Sequence, residues 1–185
     1  MLKRTALIWI ATALALLVVA ACFATSSSVL AGAIAATRYS ARFSGLVLAV
    51  ALVARAARPV ALAKRKAELT LSFVAAHGIH YSTVIGRAFV ESTSNLRHFA
   101  IENLIVVLGG VALVGVVATT AKATSRAGTR TNAMVFYILW ALLVIASGSR
   151  FRTSLPSAVV LVILIGAMLW RVGSSVAQRH DVPEP

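Results

Sequence analysis

The sequence predicts an all-α integral membrane protein, a bundle of six transmembrane helices with both termini in the cytoplasm. Three observations lead there. Of its 185 residues, 59% are hydrophobic and the mean hydropathy is +0.90, whereas soluble domains are roughly 45–50% apolar. Apolar windows long enough to cross a bilayer core, about 20 helical residues for about 30 Å, recur along the chain. Basic or turn-forming stretches separate them.

The windows run approximately Ala6–Phe23, Phe43–Ala63, Leu69–Val90, Ile101–Thr120, Ala133–Ser147 and Ala158–Val172. The first follows a basic start, "MLKR". Pro59 and "KRK" (64–66) close the second, and "ESTSNLRH" (91–98) divides the third from the fourth. "KATSRAGTR" (122–130) precedes the fifth, which is the shortest, and "SRFRTSLP" (149–156) leads into the sixth. Residues 1–172 therefore form one transmembrane domain. The polar segment 173–185, with Pro183 and Pro185, reads as a mobile cytoplasmic tail.

Charge sets the orientation. With six spans, Lys3, Arg4, Arg55, Arg58, Lys64, Arg65, Lys66, Lys122, Arg126, Arg130, Arg171 and Arg179 fall on the side of the termini. Only Arg38, Arg42, Arg87, Arg97, Arg150 and Arg152 fall opposite, so the positive-inside rule places the termini in the cytoplasm. The same asymmetry accounts for the net charge of +13 without nucleic acid: the basic residues flank apolar spans. The partner this composition implies is the lipid bilayer. Cys22 is the single cysteine, which excludes an intramolecular disulfide and a cysteine-rich metal motif. "VAAC" (19–22) also has the form of a lipoprotein cleavage box, although five further spans follow it.

The third window carries the chemistry. In "SFVAAHGIHYST" (72–83), His77 and His80 lie about 12 and 17 Å into the span from Leu69, and their i, i+3 spacing puts them on one helix face. Ionisable groups at such depth are costly and face a bundle interior, where they have a partner or a function. Gly78 between them removes a side chain and leaves room beside the pair. Three readings stay open. The imidazoles ligate a haem iron; they hydrogen-bond across helices to groups such as Ser72, Tyr81 or Ser82; or they serve a proton relay or small metal site. One helix face cannot supply both axial ligands of a single haem, so a haem would need a second helix. His98 falls in a loop and His180 in the tail. Arg38 and Arg42 precede the second span as interface anchors, and Gly109, Gly110 and Gly115 suit close helix packing.

"KAELTLSFVAAHGIHYS" (66–82) resembles the haem-helix segment of the ferric reductase-like transmembrane family, with its basic residue, Leu-x-Leu-Ser-Phe run and His-x-x-His pair in that order. The resemblance extends to "TRYSARFSG" (37–45), "LGGVALVGVVATT" (108–120) and "FYILW" (136–140). It implies six helices similar to the membrane subunit of bacterial methionine-sulfoxide reductase. It also implies a bis-histidine haem b moving electrons from quinone or a partner protein. No flavin or nicotinamide domain accompanies it. The chain departs from the family in the fifth span, where Asn132 stands at the expected histidine. Met134 is then the alternative second ligand to His77 or His80, or His98 is drawn inward, or haem is bound weakly, five-coordinate or not at all, in which last case the bundle serves assembly or interaction; a small transporter is the remaining reading.

Overall fold

The computed structural model describes residues 5–56, 65–91, 108–115, 126–148 and 154–180. Among these, all regular structure is helical: α1 (Ala6–Ala24), α2 (Val29–Ala56), α3 (Lys66–Val90), α4 (helical across 108–115), α5 (Arg126–Gly148) and α6 (Leu155–His180). The all-α expectation holds. Two segments, Ala6–Ala24 and Leu155–Ser174, are long and apolar enough to cross a membrane.

Three boundaries differ from the hydropathy windows. α2 starts at Val29, not Phe43, and has 28 residues, so "TRYSARFSG" is helix and not a preceding loop. Its polar residues lowered the local hydropathy, yet Thr37, Ser40 and Ser44 are buried against a neighbouring helix. α5 begins at Arg126, inside the expected break, where arginine and alanine are good helix formers. α6 continues to His180 and not to Val172, so 173–180 is helical rather than tail. Residues 1–4, 57–64, 92–107, 116–125, 149–153 and 181–185, and with them His98 and most of the expected breaks, lie outside the described residues.

Local chemistry explains the α1–α2 hairpin. The Ser28 hydroxyl accepts the Ala31 backbone N–H (3.2 Å), capping the start of α2. A side chain at Gly32 would collide with the Phe23 ring, so glycine lets Phe23 seat against the turn. The Glu68 carboxylate accepts the Leu7 backbone N–H (2.9 Å), which satisfies an orphan donor of α1 and sits at the positive end of its dipole. This bond also pins the starts of α1 and α3 together, side by side and parallel.

α2 is the centre of the bundle and packs on α1, α3 and α6, while α1 also meets α3 and α5 meets α6. Arg42 reaches Ser154 and Ser157 and Gly45 lies against Val160, so α2 and α6 run parallel. Trp140 Nε1–H donates to the Leu164 carbonyl (3.0 Å) and Arg171 Nε–H to the Tyr137 hydroxyl (2.6 Å), so α5 is antiparallel to α6 and parallel to α3. The apolar core joins Leu48 and Leu52 of α2, Phe73 of α3, Ala112 of α4, Phe136, Leu139 and Leu143 of α5, and Val160 and Leu164 of α6. The outer faces are also apolar. Trp9 is 68% exposed and Trp170 60%, and Leu155, Val162 and Leu169 are likewise exposed.

Candidate functional site

The polar residues of α2 recur at 37, 40 and 44, an i, i+3, i+7 rhythm that gathers them on one face. That face meets the histidine face of α3. Ser44 Oγ lies 3.0 Å from His77 Nδ1, and Ser40 Oγ lies 3.1 Å from His80 Nδ1 and 3.1 Å from Thr83 Oγ1. The Thr37 hydroxyl donates to the Ala33 carbonyl (2.9 Å) and reaches the Thr83 carbonyl (3.3 Å). Three pairings, 37 with 83, 40 with 80 and 44 with 77, thus form an antiparallel seam. Beyond His77 the seam turns apolar, with Leu48, Leu52 and Phe73 fully buried.

Counting hydroxyl protons assigns the His77 tautomer. The Ser44 hydroxyl donates to the Ala41 carbonyl (3.0 Å), so it accepts from His77 Nδ1–H, which puts the His77 lone pair at Nε2. The Ser40 hydroxyl has three neighbours for its one proton: His80 Nδ1, Thr83 Oγ1 and the Thr37 carbonyl (3.3 Å).

His77 is only 3% exposed. Phe73 stacks on it (centroids 5.2 Å, planes 26° apart), Tyr81 meets it edge-on at 5.1 Å, and the His80 ring is 5.4 Å away. Phe136 of α5 packs edge-on against Phe73 at 5.8 Å. The Tyr81 hydroxyl fills the space that a side chain at Gly109 would occupy, and its ring lies beside Gly110. These two glycines serve close packing, as their sequence suggested. Among the described residues, and apart from the backbone of α3 itself, no atom stands within 4 Å of where a side chain at Gly78 would begin.

Met134 is not brought to the histidines. It is 65% exposed. Because Phe136 meets Phe73 on parallel helices, Met134 and Asn132 lie about 9 and 12 Å from the His77 level, toward the Lys66 end. Asn132 lies six residues past Arg126, the first residue of α5, and so inside that helix. The α5 residues facing the core near the histidines are Phe136, Leu139 and Leu143, none of which ligates iron. The described residues therefore do not fit a haem clamped from two helices. They also hold no cluster of three or more His, Cys, Asp or Glu that could bind a metal ion.

The partners of the histidines were missed in sequence. Ser72 bonds to the Glu68 carbonyl and Ser82 to the Gly78 carbonyl, each within its own helix, while Ser40 and Ser44 do the cross-helix work. The available signal was their i, i+3, i+7 spacing, set in a stretch too polar to register as a span. Arg42 has a role beyond anchoring: it donates to Ser154 Oγ (2.7 Å) and lies 5.0 Å over the Tyr39 ring. Arg38 is exposed.

No protein-family model, curated protein or solved structure matches the chain.

Proposed function

We propose that the chain is a multi-pass protein of the bacterial cytoplasmic membrane, with six spans and both termini inside. It is built on the ferric reductase-like plan but without that family's two-sided haem clamp. Its role in this reading is assembly or interaction within the bilayer, and not electron transfer from quinone. The observation that carries the reading is the core-facing side of α5, which offers Phe136, Leu139 and Leu143 where a second axial ligand is needed.

The apolar outer faces support the membrane setting, because an exposed surface of this extent is stable against lipid. So does the level of the aromatic residues. Tracing the pairings Leu7–Glu68, Ser44–His77 and Gly45–Val160 along the helices sets Trp9 and Trp170 about 18–24 Å from the exposed Tyr39. Two aromatic levels with that separation are of the order of the roughly 30 Å hydrocarbon core they would flank. The polar seam of α2 and α3 explains why those helices fall short of a simple hydropathy test: their polar groups bond to one another and face away from lipid.

A one-sided haem b on His77 or His80 is the second reading, favoured by the His77 tautomer, since an imidazole held at Nδ1 presents Nε2 to a metal. A reduced-minus-oxidised spectrum of protein purified from haem-replete cells separates the two. Absence of Soret and alpha bands is the expected result. Bands that vanish in His77→Ala or His80→Ala would replace the first reading with the second.

A further inference from the structure

Arg42 is held more firmly than an anchoring arginine needs. Its Nη2 donates to Ser154 Oγ (2.7 Å) and Ser157 Oγ (3.4 Å), and its guanidinium carbon lies 5.0 Å over the Tyr39 ring. These contacts orient the fork yet engage a single nitrogen; among the described residues, Nε and Nη1 meet no protein acceptor. Arg38 stands one turn back along α2 and, like Tyr39, is exposed. No carboxylate offsets the pair: among the described residues, Glu68 bonds to the start of α1 and Glu91 to Arg87. Ser154 immediately precedes α6, so the positive end of that helix adds to the local charge. A cation partly withdrawn from water is stable there only beside an anion. The level of the site supplies one. The apolar span of α6 begins at Leu155, directly after the serine that holds Arg42, and at such a boundary hydrocarbon gives way to headgroups.

We propose that Arg42 and Arg38 bind the phosphodiester of an anionic phospholipid at the rim between α2 and the start of α6, an inference that rests on the membrane setting proposed above. The remaining N–H groups on Nε and Nη1 of Arg42 donate charge-assisted hydrogen bonds to the phosphate oxygens, and Arg38 adds a second cation. Ser154, Ser157 and Tyr39 hold the fork in place before the lipid arrives, which lowers the entropy lost on binding. Two guanidinium groups without a carboxylate favour a headgroup of net negative charge over a zwitterionic one, whose own cation they repel.

The test is native mass spectrometry of the full chain in mild detergent, titrated with phosphatidylglycerol and, separately, with phosphatidylcholine of the same acyl chains. The first phosphatidylglycerol should bind about 10-fold more tightly than phosphatidylcholine, the scale set by two basic residues facing an anionic headgroup. Arg42→Gln should weaken that binding by about 10–100-fold, as expected for lost hydrogen bonds to a charged group, and Arg38→Gln by about 5-fold. Arg42→Lys keeps the charge but not the fork, so it should recover only part of the loss. Arg87→Gln, whose arginine is already paired with Glu91, should leave binding unchanged. Gel filtration identifies any variant that has lost its fold; the exposed Arg38 then carries the comparison. Equal affinity for the two lipids, or a preference that survives both Arg42→Gln and Arg38→Gln, overturns the site. Displacement of the lipid by inorganic phosphate also overturns it, by showing a free-anion site. Release of the protein from native membranes by an alkaline carbonate wash would refute the membrane setting itself, whereas protein that stays in the membrane but shows no lipid preference overturns the lipid site alone.

Discussion

Replacing Ser44 with alanine tests the seam at its tightest point. Ser44 is 0% exposed and His77 3%, so removing the hydroxyl strands the Nδ1–H of His77 where neither water nor another acceptor reaches it. An orphaned buried donor costs about 1–3 kcal/mol in soluble proteins. Hydrogen bonds between membrane helices average about 0.6 kcal/mol and reach about 1.7, because an opened helix pair finds other partners in the bilayer. The second scale governs if the bundle is membrane-embedded. The small void adds to the loss, so Ser44→Ala should cost about 1–2 kcal/mol. The coupling between Ser44→Ala and His77→Leu should lie near 0.6–1.7 kcal/mol. Reversible unfolding in mixed micelles of increasing dodecyl sulfate measures all four corners of the cycle. A coupling indistinguishable from zero, with Ser44→Ala at wild-type stability, would mean that the serine–imidazole contact contributes nothing and that packing alone joins α2 to α3.

Other consequences follow from neighbouring contacts. Phe136→Ala removes a fully buried ring packed on Phe73 and should cost about 3–5 kcal/mol; a loss below about 1 kcal/mol in the same assay would show that α5 is not seated on the core. Gly109→Ala puts a methyl group where the Tyr81 hydroxyl lies, so it should destabilise the fold, and Tyr81→Ala should restore part of the loss; no rescue would refute the proposed contact. Glu68→Ala removes the acceptor at the start of α1 and should cost about 0.5–2 kcal/mol, seen as faster hydrogen exchange at Leu7. Arg87→Gln should change stability by less than about 1 kcal/mol, since the Arg87–Glu91 pair is about a third exposed on each side.

The all-α class was legible because long apolar windows have few other solutions, and α1 matched its window to one residue. α2 did not, for a specific reason. A hydropathy window averages all faces of a helix, and the stretch from Thr37 to Ser44 concentrates three hydroxyls and two arginines. Their i, i+3, i+7 order identifies a face, not a loop, but its meaning depends on a second helix with matching polar groups. Only the antiparallel register with α3 supplies that. The histidine pair was likewise legible as one buried face, whereas its partners lay some 33–40 residues away in sequence, beyond the reach of spacing rules.

The register with α2 keeps both imidazoles near mid-helix: His77 is 11 residues from Lys66 and His80 is 10 from Val90, while Ser40 is 11 from Val29. The same pairing moves the question of a second ligand. The family resemblance singled out Asn132 and Met134, but a ligand has to share a level with His77 as well as a helix with the right topology. Along α5 that level falls near Trp140, whose indole bonds to the Leu164 carbonyl, and Leu143. A haem clamped between α3 and α5 would therefore require α5 to slide by about two turns, breaking the Trp140–Leu164 and Tyr137–Arg171 contacts that seat it on α6.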